Sequence, residues 1–257
     1  MKTSVVMTTF CRPEYLDWCL ETLWKQNLMG LDYEILVLND GVKHDGTYEV
    51  VRKYACLEMN IRYLFTGQRN ADCLHWRVMG FSANVGIKEA DGEIVVLTNS
   101  DIYHWGETLL PVVNKARVFP MALGTVSKIH DDDGSVVRRL REDLSINEAI
   151  AGLQDSFPHP QPEMPFFLAV RREHLLNVGG YDEDFTGYAC DDADLMGRLL
   201  KIGCHYEYVD AEVVHLFHGR RDPEKIAADQ DYQYNLSLLN ERSDQIVRNV
   251  GKEWGVA

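Results

Sequence analysis

The stretch IVVLTNSDIYHW, from Ile94 to Trp105, decides how this chain is read. Ile94 to Leu97 are all apolar, the pattern of a strand buried on both faces. The run then turns polar at Thr98-Asn99-Ser100-Asp101. A carboxylate in that place either caps the turn into the next segment or faces a ligand beyond the strand's end. The surrounding segments have to decide between the two.

Upstream, Leu74 to Glu89 predicts a helix despite Gly80 and Gly86, with Asp91-Gly92 as its stop. Nearer the N-terminus, Ser4 to Thr9 is rich in β-branched residues and predicts a buried strand. Pro13 suits a first helical position, and Leu16, Leu20, Leu23 and Trp24 recur at helical spacing. Tyr33 to Leu38 predicts a second strand, running into Asn39-Asp40-Gly41. A helix over Thr47 to Ala55 and a strand over Ile61 to Phe65 follow. Strands alternating with helices imply βαβ units and an α/β fold with a mostly parallel central sheet. Such sheets bind ligands beyond the carboxyl ends of their strands. Two strands end there in polar groups, at Asn39-Asp40 and at Asn99 to Asp101, which favours a ligand site over two unrelated caps.

The second half is less regular. Met121 to Ile129 predicts a strand. His130 to Met164 is long and polar, with a helix expected near Ile146 to Leu153 and a Pro-rich end, FPHPQPEMP. Long loops in compact domains often serve as lids or binding walls. Phe166 to Val170 predicts a strand and Arg172 to Val178 a short helix broken by Gly179-Gly180. Asp192 to Ile202 predicts a helix with Leu195, Leu199 and Leu200 on its apolar side and Gly203 as its stop. Tyr206 to Val214 predicts a strand, and the tail from Pro223 reads as polar and helical. The expected organisation is one domain over 1–222, in two halves (1–104 and 105–222), then a helical tail over 223–257.

The chain has 257 residues and a net charge of -14. That charge argues against nucleic acid or an anionic membrane as partner, since both require Lys and Arg stripes. The N-terminus does not read as a signal peptide, and no apolar run is long enough to span a bilayer. Peripheral membrane contact stays open. The six cysteines form no CxxC pair and read as free thiols of a cytoplasmic protein.

Four patches carry chemistry. Asp40 and the Asn99-Ser100-Asp101 run stand at strand ends. Asp191, Asp192 and Asp194 crowd one helix start. Acidic residues stabilise a helix N-terminus by roughly 0.3–1 kcal/mol each. Three together also repel, by about 4 kcal/mol per pair at 4 Å and an effective dielectric near 20. A partly buried trio therefore calls for a cation or a raised pKa, both features of active sites. Finally, His215 and His218 follow a strand, with Arg220 and Arg221 next, a set able to hold a metal and a phosphate group. Gly-rich phosphate loops, HExxH and GxSxG are absent. DDDG at Asp131 to Gly134 lacks calcium-loop spacing and reads as a solvated turn.

These patches occur in a familiar order. The chain resembles inverting GT-A glycosyltransferases of the large family-two type. SVVMTTFCRPEYLDWCLETLWKQ looks like that family's first strand and helix, and YEILVLNDG resembles its EIIVVDDGS strand. SANVGIKEADGEIVVLTNSD resembles ARNxGIxxAxGEyIxFLDxD, and FFLAVRREHLLNVGGYDEDFTGYACDDADLMGRLLKIG resembles the acceptor-side signature. The resemblance covers roughly residues 3 to 219. It implies a GT-A, Rossmann-like sheet that binds a nucleotide-diphosphate sugar, a UDP-sugar being favoured. It places Thr8, Asn39, Asp40, Asn84, Asn99 and Arg220 at the donor. It places Asp101, with His215 or His218, at a divalent metal, Mn2+ or Mg2+. Asp192 becomes the general base for a carbohydrate or glycoconjugate acceptor, with Asp191 orienting that acceptor. Trp76 and Trp105 become candidates for stacking on sugar or base, and His130 to Met164 for the acceptor wall.

The chain departs from the family pattern at three points. Asn99 replaces the first DxD carboxylate, and an amide does not match a carboxylate as a metal ligand. Asn39 replaces an Asp. An Asp-Asp pair, Asp191-Asp192, replaces Glu-Asp. The rival readings are a nucleotidyltransferase and a catalytically weakened carbohydrate-binding protein. The first would normally bring a Gly-rich basic loop after the first strand, where this chain has TTFCRPE. Asn99 is the best support for the second.

Overall fold

The computed structural model describes residues 1–67, 79–125, 131–153, 167–219 and 229–257, with backbone alone for 123–125. Its centre is an eight-stranded sheet in the order β3-β2-β1-β4-β7-β6-β8-β5. The first half alternates strictly: β1 (Thr3–Thr9), α1 (Pro13–Trp24), β2 (Tyr33–Asn39), α2 (Thr47–Cys56), β3 (Ile61–Phe65), α3 (Gly80–Glu89) and β4 (Ile94–Asn99). These four strands are parallel. After β4 come β5 (Ile102–Trp105), α4 (Leu109–Val118) and β6 (Met121–Thr125). Two short helices follow, α5 (Ser135–Arg141) and α6 (Asn147–Leu153). The chain then makes β7 (Phe167–Arg171), α7 (Arg172–Asn177), α8 (Asp191–Lys201), β8 (Tyr206–His215) and α9 (Gln230–Glu241). β7 is antiparallel to both β4 and β6, β8 is parallel to β6, and β5 is antiparallel to β8. β8 therefore runs in the same direction as β4, and their carboxyl ends share an edge.

The core lies on both faces of the sheet, as period-2 strands with apolar residues on each side require. Val5 and Met7 pack with Leu16, Leu20 and Val112 of α1 and α4 on one face. Val6 packs with Val85 and Ile87 of α3 and with Leu195 and Leu199 of α8 on the other. Gly86 is what allows α3 to lie so close, because a Cβ there would meet Val6 Cγ1 at 2.4 Å. The same reason holds for Gly80, whose Cβ would meet Tyr181 Cβ at 2.7 Å.

Most expected elements are present within a residue or two. The predicted helix from Leu74 is seen only from Gly80, because residues 68–78 lie outside the described residues. The expected tail helix is present as α9, but residues 242–257 continue without helix and pack back on the domain. Trp24 and Leu200 are exposed, 47% and 42%, rather than core-facing. Each follows the last core leucine of its helix, and one residue rotates the side chain by about 100°. Asp131 is also not solvated. It is 1% exposed and accepts N–H bonds from Val136 and Val137, both at 3.0 Å, tying down the start of α5. The five described cysteines are free thiols, and Cys73 lies outside the described residues. No helix among the described residues is long and apolar enough to cross a membrane.

Candidate functional site

The strand ends come first. Register pairs Thr8 with Asn99 and Thr9 with Asn39, so β1, β2 and β4 finish level. Thr8 Oγ1 donates to Asn99 Oδ1 at 2.7 Å. Asp40, just past β2, donates its N–H to Thr9 O at 3.0 Å and accepts from Thr66 Oγ1 at 3.1 Å. Thr8, Asp40 and Asn99 thus stand together on one edge.

Two residues expected beside them have other tasks. Asn39 is fully buried. Its Oδ1 accepts from Gly41 N, and its Nδ2 faces Val42 O, Asp45 Oδ1 and Tyr63 Oη at 3.1–3.2 Å. It builds the loop after β2. Asn84 is also fully buried. Its Oδ1 accepts from Tyr181 N at 2.8 Å, and its Nδ2 donates to Tyr181 O and Glu183 Oε1. Both amides are held by hydrogen bonds inside the protein. Arg220, Arg221 and Trp76 lie outside the described residues. Trp105 packs half-buried on β5 against the cluster of Val214 and Leu216.

Asp101 meets the histidines because of β5. Ile102 pairs with His215 across the β5–β8 ladder, which sets Asp101 beside the end of β8. Leu216 N–H donates to Asp101 O at 2.9 Å and Asp131 N–H to His215 O at 3.0 Å. Tyr15 Oη donates to Phe217 O at 2.6 Å. So held, His218 Nε2 lies 3.4 Å and His215 Nε2 3.8 Å from Asp101 Oδ2, with 3.2 Å between the two imidazole nitrogens. The three residues can offer ligand atoms all within 4.8 Å of one another.

Ligands about 2.1 Å from a common ion lie roughly 3.0–3.4 Å apart, so this set fits a divalent ion with little adjustment. Asp101 Oδ1 is buried with no hydrogen-bond partner among the described residues, as an atom reserved for a cation would be. Burial works against the charge on Asp101. His215, His218 and Arg12 outweigh it and hold the carboxyl well below the usual carboxylate range. Burial pushes His218 down to about 4, so it offers a neutral imidazole at ordinary pH.

The acidic trio separates by role. Asp194 is buried against Arg198, 2.7 Å, and Arg248, 2.5 Å, and is structural. Asp191 is buried and its carboxyl is pushed up to about 6, chiefly by burial. Asp192 is only partly covered, and its carboxyl is raised well above the usual range by its surroundings and by Asp191. Tyr181 Oη donates to Asp192 Oδ1 at 3.2 Å and opposes that rise. The turn feeding α8 is strained, with Ala189 and Cys190 at φ 71° and 73°. Asn235 of α9 holds it, donating to Thr186 O, Tyr188 O and Ala189 O at 2.6–3.2 Å. α8 leads through Ile202 to His205 into β8.

Three residues at the site were not anticipated: Arg12, Tyr181 and Asn235. Arg12 had a signal, as the one basic residue in the turn after the first strand. The other two had none.

The family model described as Glycosyl transferase family 2 matches residues 4–179, and one described as N-terminal domain of galactosyltransferase matches 166–221. Validoxylamine A glucosyltransferase of Streptomyces hygroscopicus subsp. limoneus is 27% identical over 275 residues, covering 95% of this chain and 56% of the relative. The chain thus spans little more than half of that relative's length. In fold it is similar to Staphylococcus aureus TarS in complex with UDP-GlcNAc, with TM-score 0.62, 16% identity, and 93% and 65% of the two chains covered. It is likewise similar to a Pyrobaculum calidifontis mannosyltransferase in complex with GDP-Man and Mn2+, with TM-score 0.62, 17% identity, and 93% and 64% covered.

Proposed function

The chain belongs to glycosyl transferase family 2, and from that premise we propose that it transfers a sugar from a nucleotide diphosphate to an acceptor hydroxyl, with inversion. One observation carries this reading. Asp101, His215 and His218 meet on the sheet edge where Thr8, Asp40 and Asn99 also stand. Thr8, Asp40 and Asn99 hold base and ribose. Asp101 with His215 and His218 would hold a divalent ion, Mn2+ or Mg2+, which would supply positive charge to the diphosphate leaving group. Asp192 takes the proton of the acceptor hydroxyl as that oxygen attacks the anomeric carbon, and Asp191 orients the acceptor. A carboxyl raised above its ordinary range, here by burial and by Asp191, is a stronger base once ionised than an ordinary one. One base acting on one displacement inverts the centre. A UDP-sugar is the favoured donor and a carbohydrate or glycoconjugate the acceptor. TarS carries UDP-GlcNAc in this fold, whereas the archaeal mannosyltransferase carries GDP-Man.

The test is Asp192→Asn. Donor affinity should stay within a few-fold, and turnover should fall by about a hundredfold or more, the scale of general-base catalysis. Turnover near that of the parent removes Asp192 from the base role.

A further inference from the structure

Arg12 occupies the turn between β1 and α1, and its Nη1 lies 2.8 Å from Asp101 Oδ2. That is the same oxygen that His218 and His215 approach, at 3.4 and 3.8 Å. A cation of the chain itself therefore already rests beside Asp101, His215 and His218. A guanidinium on one oxygen of Asp101 repels a divalent ion on either of the two, and Asp101 is the sole carboxylate of the ligand set among the described residues. Asn99, an amide in the place of the family's first DxD carboxylate, adds no second negative charge at that position. Arg12 also lines a cavity of about 470 Å3 with Tyr15, Arg138, Arg141, Phe217 and His218. Its side chain thus touches both the metal ligands and open space beside them.

We infer that Arg12 is a resident cation that couples ion binding to nucleotide binding. Without ligands it holds Asp101 through a charge-assisted hydrogen bond. When the site is loaded, Arg12 gives up Asp101 Oδ2 and turns to the diphosphate, which offers its guanidinium a new anionic partner. An ion alone works against the Arg12–Asp101 pair and brings no anion with it. An ion with a nucleotide diphosphate brings one. The two ligands are therefore cooperative, and each strengthens the other by the same factor. The inference rests on the metal-diphosphate reading of this site.

The experiment is Mn2+ binding to the full chain, followed by the electron paramagnetic resonance of free Mn2+, with and without UDP. The parent protein should bind Mn2+ weakly alone and at least several-fold more tightly with UDP. Arg12→Gln should bind Mn2+ alone on the order of tenfold more tightly, the effect expected from removing one charge-assisted competitor. The enhancement by UDP should shrink in the same variant. Arg12→Lys keeps the charge without the planar fork and should fall between, which guards against a Gln variant that folds poorly. Unchanged or weaker Mn2+ binding in Arg12→Gln, or an undiminished UDP enhancement, overturns the role of Arg12. Asp101→Asn is the separate control: if it leaves Mn2+ affinity untouched, the metal site itself is wrong, and the coupling falls with it.

Discussion

Asp192 sits between two neighbours that push its proton in opposite directions. Asp191 favours the neutral acid by charge repulsion, and the Tyr181 hydroxyl favours the carboxylate by donating to it. A base works only after losing its proton, so activity falls as pH drops through the raised pKa of the pair. Tyr181→Phe removes the donor and should move the acidic limb of the kcat/KM profile to higher pH. Asp191→Asn removes the repelling charge and should move it lower. Opposite shifts are the expected outcome of the two profiles, and a common shift would refute the assignment. The acidic trio was legible in the sequence, but its division of labour was not. Nothing in the spacing of Asp191, Asp192 and Asp194 says that the third is paired with Arg198 one helical turn on and with Arg248 from the tail. Asn39 and Asn84 teach the same lesson: motif position located them, and only their filled hydrogen bonds reveal that they brace loops.

β5 is the element that brings Asp101, His215 and His218 together, and it was not foreseen. Four residues after a polar turn, Ile-Tyr-His-Trp, carry too little pattern to mark a strand. Their strand character comes from pairing with β8, more than a hundred residues later. By contrast, β1 to β4 and their helices were legible because each buries a local periodic pattern. α9 also matters to the site. Asn235 is fully buried and satisfies three carbonyls of the strained turn before α8. Asn235→Ala leaves those groups without their donor. It should cost about 1–3 kcal/mol in denaturant melts, with turnover reduced more than donor affinity. A variant of unchanged stability and turnover would show that α9 does not hold the turn.

Across the whole molecule, the C-terminal segment is fastened to the half that carries α8. Arg248 reaches both Asp194 and Asp182, Arg242 reaches Asp182 and Asp184, and Lys252 pairs with Asp184. Buried carboxylates so paired are costly to leave alone, so these contacts tie the position of α8 to the tail. Such pairing across 54 residues, as between Asp194 and Arg248, has no local signature, and the sequence reading treated this segment as a separate tail. The nucleotide-facing edge was legible because parallel strands must end somewhere, and their ends are polar here. Whether that edge is a metal-diphosphate site is the central claim. A crystal soaked with Mn2+ and UDP, measured for anomalous scattering, tests it most directly. The account predicts one Mn2+ peak within coordination distance of Asp101 and at least one of His215 and His218, with the diphosphate against it. A peak elsewhere, or UDP bound on another face with no ion at Asp101, would contradict it.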